Sequence, residues 1–251
     1  MHADKGSKVK NKKSRAGRIA MDVIIICLSV IVLFSCCKVW TIMREYHKDQ
    51  QIYENIAETA HAEDEADEPG IDFEALKAVN PDIVAWLRCE GTVIDYPVVQ
   101  GSDNEKYLHT LFDGSSGGCG TLFVEAVTEE PFRQFNTIVY GHHMRDGSMF
   151  ASLQDFKDPE FTAEHPDIEL ITPEGRNHLQ VWAFVSQPAD SDIYATNFHM
   201  EEDKQAYIDL IRDKAEYLTD IDDEISIDDR LLILSTCAYE YKNARYLLVC
   251  R

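Results

Sequence analysis

Apolar residues are spread along this chain in three different ways. From Ile19 to Trp40 they run almost without a break, 22 residues with charges only at Asp22 and Lys38. From residue 44 to residue 70 they thin into a polar, acidic stretch ending Glu63-Asp64-Glu65-Ala66-Asp67-Glu68-Pro69-Gly70. From Ile71 onward they gather into short runs separated by Gly, Pro, Asn and Asp.

The first pattern is long enough for a membrane helix, since about 20 apolar residues cross a bilayer. The second reads as a solvated, partly helical stalk. The third reads as a folded domain. Asp72 is placed to cap a short helix through Phe73, Leu76 and Val79, which Asn80-Pro81 then breaks. Pro81-Asp82 is expected to start a second helical turn carrying Ile83, Val84, Trp86 and Leu87. Strand-like runs follow at Thr92–Val99, Gly120–Glu125, Asn136–Tyr140, Ile168–Thr172, His178–Ser186, Arg230–Ser235 and Arg245–Cys250. Two helices are expected among them. One is Met149–Phe156 behind an N-cap at Ser148, and the other is Glu201–Leu218, with Tyr207, Leu210, Ile211, Ala215 and Leu218 at helical spacing. Seven or eight short strands with few helices predict a β-barrel or sandwich.

Charge sharpens this division. The net charge of −21 is uneven: +6 over residues 1–20, −7 over 21–70 and −20 over the remainder. An acidic body argues against nucleic acid as a partner, because that binding neutralises phosphates with Lys and Arg. Basic residues directly before an apolar helix hold that end in the cytoplasm. The expected layout is therefore a cytoplasmic tail over 1–18, a transmembrane signal anchor over 19–43, an acidic stalk over 44–70 and an extracellular domain over 71–251. A cleaved signal peptide would need a shorter apolar region and a small-x-small site. At Leu33-Phe34-Ser35-Cys36, Phe34 is too bulky for a lipoprotein site.

Of the seven cysteines, Cys27, Cys36 and Cys37 lie in or beside the apolar helix, and Cys89, Cys119, Cys237 and Cys250 belong to the outer domain. Four cysteines allow three full pairings, so spacing leaves open whether Cys89 and Cys119 pair. Cys237 stands apart because it ends the run Leu234-Ser235-Thr236-Cys237, and Arg245 opens the next one. If the two runs form an antiparallel hairpin, the side chains meet across its mouth, where adjacent strands are about 4.8 Å apart. A free thiol has a pKa of about 8.5, so a fixed cation beside it favours the reactive thiolate and can bind an oxyanion. His142, at the end of Asn136–Tyr140, supplies the group for proton transfer to a leaving amine. His109, His165, His178 and His199 read as surface or loop residues. No metal is expected, because His142-His143 lacks a carboxylate or cysteine at ligand spacing.

These residues resemble the sortase family, class B. The family signature T-L-x-T-C is matched by Ile233-Leu234-Ser235-Thr236-Cys237, which departs only at its first position. Tyr140-Gly141-His142-His143-Met144-Arg145-Asp146-Gly147-Ser148-Met149-Phe150 looks like the histidine segment of that class. Asn80–Leu87, Ile94–Gln100 and Asp103–Leu108 match further blocks in the right order.

The resemblance implies a closed eight-stranded β-barrel with N-terminal helices and one longer helix before the last strands. It implies a cofactor-free cysteine transpeptidase on the outer face of a Gram-positive membrane. Cys237, His142 and Arg245 would be catalytic, and Asn104, Leu108, Tyr194 and Ser235 would contact substrate. Its partners would be surface proteins bearing a C-terminal sorting signal, cleaved after Thr, and an amine of the cell-wall peptidoglycan. A pilin polymerase using a Lys amine shares every catalytic part. A non-catalytic anchored binding module is the alternative from another class.

Overall fold

The computed structural model describes residues 7–61, 70–221 and 224–251, with residues 7–14 and 16 described by backbone alone. The start of the basic tail and the acidic run Glu63–Pro69 lie outside the described residues. The chain divides into two compact units at His47/Lys48. Helix α1, Ser7–Ala60, runs through that boundary.

In the first unit, every side chain from Ile19 to Met43 is exposed. The stretch is long and apolar enough to cross a membrane by length and composition. In the second unit, α1 carries a buried stripe at Asp49, Tyr53, Ile56 and Ala60. The spacing of four, three and four residues puts them on one helix face. These turns belong to the core of the second unit, although their acidic surroundings read as solvated stalk. Asp49 opens the stripe with a charged residue, and exposed Glu54 and Glu58 stand between its apolar members.

Helix α2, Phe73–Val79, begins at the expected cap: the Asp72 side chain accepts from the Ala75 backbone N–H at 2.9 Å. Beyond Asn80 the expected helical turn is instead strand β1, Ile83–Arg88, paired on both sides and with Ala85, Trp86 and Leu87 fully buried. Burial on both faces produces an unbroken apolar run whose period does not distinguish strand from helix.

The remaining strands are β2 (Asp95–Val99), β3 (Leu122–Val124), β4 (Asn136–Tyr140), β5 (Asp167–Thr172), β6 (Gly175–Pro188), β7 (Ala215–Leu218), β8 (Leu231–Cys237) and β9 (Ala244–Cys250). Their order is β5-β1-β2-β3-β4-β8-β9-β6-β7, and a β5–β6 pairing closes the first eight into a barrel. The barrel is mixed, because β2–β3 and β4–β8 are parallel. Strand β7 is an extra strand on β6. It takes the end of the segment expected as one long helix: α4 covers Glu201–Lys214, and Ala215 turns extended so that Tyr217 pairs with Phe184. The other expected helix is a 3-10 helix over Ala151–Lys157, and the Ser148 hydroxyl donates to Asp146 Oδ1 at 2.7 Å instead of capping it. A short helix α3, Pro159–Glu164, capped by Asp158, was not foreseen.

Two cores follow from strand alternation. Leu232 and Leu234 of β8, Leu248 of β9 and Val139 of β4 pack inside the barrel with Trp86 and Phe184. Leu231, Ile233, Leu247, Val249 and Ile138 face outward, where Tyr207, Ile208 and Ile211 of α4 cover them. Each such side chain contributes about 1.5–3 kcal/mol when buried. That double coverage explains why β8 is apolar at every position from Leu231 to Leu234.

Candidate active site

The outward row of β8 continues past the apolar cover as Ser235 and Cys237. Antiparallel pairing sets Cys237 directly opposite Arg245, with Ser235 opposite Leu247. Paired residues share a face, so thiol and guanidinium project from the same side of the sheet. A one-residue slip of the pairing would turn Cys237 into the barrel. Strand β4 lies parallel to β8 with Tyr140 beside Ser235, and the Gly141 N–H donates to the Ser235 carbonyl at 3.1 Å. A Cβ at Gly141 would sit 2.4 Å from Leu122 Cδ2 and 2.6 Å from Phe150 Cδ2, so any larger residue there would displace those two buried side chains. His142 follows at once. Its Nε2 is 2.8 Å from the Leu108 carbonyl, and its ring stacks on His109 at 6.0 Å. A carbonyl only accepts, so Nε2 carries the hydrogen in this arrangement.

The two histidines part company. His143 turns away, its Nδ1 3.0 Å from the Cys237 carbonyl and its ring edge-on to Tyr239, in a neighbouring cavity. His142 lines a groove of about 340 Å³ together with Cys237 and Arg245. Asn104, Leu108, Tyr194 and Ser235 line the same groove, so all seven candidate residues meet in one place. Tyr194 ends a 3-10 turn, Asp192–Tyr194. Its hydroxyl is 2.9 Å from Ser235 Oγ, and its ring lies nearly parallel to Tyr140, 6.2 Å away. The Arg245 guanidinium donates to the Ala244 carbonyl at 2.9 Å and has no carboxylate partner among the described residues.

No family model matches the sequence. The chain is 33% identical over 181 residues to Sortase B of Staphylococcus aureus (strain NCTC 8325 / PS 47), covering 71% of this chain and 73% of that protein. The chain belongs to the class B sortases. It is a cysteine transpeptidase, and its closed barrel with one extra strand is the fold of solved sortase B structures. A Staphylococcus aureus sortase B–substrate complex matches with a TM-score of 0.73 and 29% identity, over 82% of this chain and 97% of that one. A sortase B complexed with triglycine matches with a TM-score of 0.71 and 30% identity, over 82% and 97%.

The sortase's cysteines divide by environment. Cys89, Cys119 and Cys250 are buried free thiols, so Cys89 and Cys119 do not pair. Burial pushes the Cys89 thiol up to about 11 and raises Cys119 and Cys250 as well, so these three stay protonated. Cys237 alone among the outer-domain thiols opens onto the groove. Sequence reasoning passed over Glu125 and the lining residues Thr121 and Phe123, which looked like the ordinary end and middle of a strand. A carboxylate closing the apolar run Leu122-Phe123-Val124 was the one available signal.

Proposed function

We propose that this sortase is held in the cytoplasmic membrane by Ile19–Trp40, N-terminus inside, and that its barrel works outside the cell on C-terminal sorting signals of the Asn-Pro-x-Thr-Asn kind. The observation that carries this reading is the Cys237–Arg245 register pair opening into the same groove as His142. The Cys237 thiol passes its proton to His142, Sγ attacks the threonine carbonyl carbon, and the carbonyl oxygen becomes an oxyanion held by Arg245. The carbon–nitrogen bond then breaks, and the departing amine takes its proton from His142, whose Nε2–H is otherwise held by the Leu108 carbonyl. A thioester to Cys237 remains. An amine of the peptidoglycan cross-bridge attacks it and gives a proton to His142, Sγ leaves as the thiolate, and a new amide joins the surface protein to the cell wall. The match to a sortase B complexed with triglycine supports a glycine-type amine as acceptor.

The test is to incubate the full chain in detergent with Asn-Pro-x-Thr-Asn peptides and triglycine, and to read the products by mass spectrometry. Cleavage after Thr with glycine incorporated is expected, and Cys237→Ala should abolish both. Hydrolysis without incorporation would overturn the transpeptidation reading. Protease digestion of the barrel on intact cells tests the topology.

A further inference from the structure

Behind the groove wall, Glu125 joins two residues that face the substrate side. One carboxylate oxygen accepts from Asn104 Nδ2, and the other accepts from the Tyr140 hydroxyl. Asn104 and Tyr140 line the groove and Glu125 does not. The Ala126 N–H donates to Asn104 Oδ1 at 2.8 Å, so the amide is gripped at both ends and cannot turn over. An amide nitrogen carries two hydrogens, and Glu125 uses one. Burial, and then the carboxylate beside it, push the Tyr140 hydroxyl up, so it remains an O–H donor to Glu125. Glu125 is itself anchored: its N–H donates to the Ile138 carbonyl at 3.2 Å, and its own carbonyl accepts from Thr128 N–H at 3.0 Å.

We propose that Glu125 is a positioning residue that fixes the hydrogen-bonding polarity of this wall. Through it, Asn104 presents its second N–H to the groove, and Tyr140 presents an oxygen lone pair. A donor and an acceptor side by side suit the C=O and N–H of a neutral peptide unit. The inference rests on the groove being the site for the sorting peptide, and it assigns Glu125 to binding that peptide.

The experiment measures KM and kcat of the full chain in detergent on an Asn-Pro-x-Thr-Asn peptide for Glu125→Ala, Asn104→Ala, the double variant and Glu125→Gln. Losing a charge-assisted hydrogen bond of this kind raises KM by about tenfold. Glu125→Ala and Asn104→Ala should each do so with kcat little changed, and the double variant should do no worse than either single one. Glu125→Gln, which keeps one acceptor for Asn104, should recover part of the loss, and it decides the question if Glu125→Ala does not fold. Additive effects, or a fall in kcat at constant KM, would overturn the proposal. Absence of cleavage by the unmutated chain would instead sink the parent reading, so the two failures are told apart.

Discussion

The two sides of the groove are built by different means. On one side Cys237, Ser235 and Arg245 stand on β8 and β9, spaced by ladder pairing and backed by the barrel core. On the other, Asn104 and Leu108 stand on a segment with little regular structure, a 3-10 turn over Lys106–Leu108 and then loop up to β3. That side is held by polar props. Asn80 Nδ2 donates to the Tyr107 hydroxyl and the Phe112 carbonyl, and the Tyr107 hydroxyl donates to Asp82 at 2.7 Å. The Thr121 N–H donates to the Tyr107 carbonyl at 3.0 Å. From α1, Asp49 Oδ2 accepts the Gly118 N–H at 3.0 Å, and the Tyr53 hydroxyl donates to the Gly120 carbonyl. The strand side supplies the proposed chemistry. The propped side supplies the carbonyl that holds His142. Mutations on the strand side should therefore stop the reaction in a folded protein, whereas those on the propped side should loosen the site and the fold together.

The sharpest test of that contrast is on the strand side. Cys237→Ala should eliminate acyl-enzyme in mass spectra, with the melting temperature nearly unchanged because the thiol is only half-buried at a strand end. Arg245→Ala should reduce kcat by about 10²–10³, the usual loss of one oxyanion donor, again in a folded protein. An equal loss of stability in either variant would break the comparison.

The propped side should show both effects. Gly120 has a φ of +59°, and a Cβ there would lie 2.4 Å from the Tyr107 carbonyl and 2.7 Å from that of Leu108. Gly120→Ala should therefore cost about 1–3 kcal/mol in chemical denaturation, and it should also lower activity by moving the Leu108 carbonyl away from His142. Tyr53→Phe removes the hydroxyl donor of the Gly120 carbonyl and leaves it only the weak Cys119 thiol, at about 1–3 kcal/mol. A parallel fall in kcat would show that α1 supports the groove, and unchanged kinetics would reduce α1 to a stabilising prop.

The smallest effect concerns pH. The hydrogen bond from Lys106 comes first among the causes that hold Asp82 below its ordinary 3.8, and burial opposes it. A lowered folded pKa adds stability above the unfolded value, and this is lost as pH falls from about 3.8 through the folded value. Asp82→Asn should therefore flatten the acid limb of melting temperature against pH and leave its slope between pH 6 and 8 unchanged.

Most of the strand side was legible beforehand. The run ending at Cys237 and the one starting at Arg245 lie close along the chain, so local hairpin geometry already brought thiol and guanidinium together. The strand expected over Asn136–Tyr140 has those bounds. The propped side was far less visible. Its supports come from Asp49, Tyr53, Asn80 and Asp82, each well separated in sequence from what it holds. Pairwise hydrogen bonds of that kind leave no periodic mark. Strand β1 differs from the expected helical turn because burial on both faces erases the alternation that identifies a strand.

From the sequence alone came the apolar segment, the strand-rich outer domain, the thiol–guanidinium hairpin and the likeness to class B sortases, because each is a local pattern of composition, period or motif. Tertiary structure alone decided that His143 turns to the Cys237 carbonyl, that Glu125 stands behind Asn104 and Tyr140, and that the last turns of α1 belong to the core. Those outcomes depend on which distant backbone groups face each other once the barrel closes through β5 and β6.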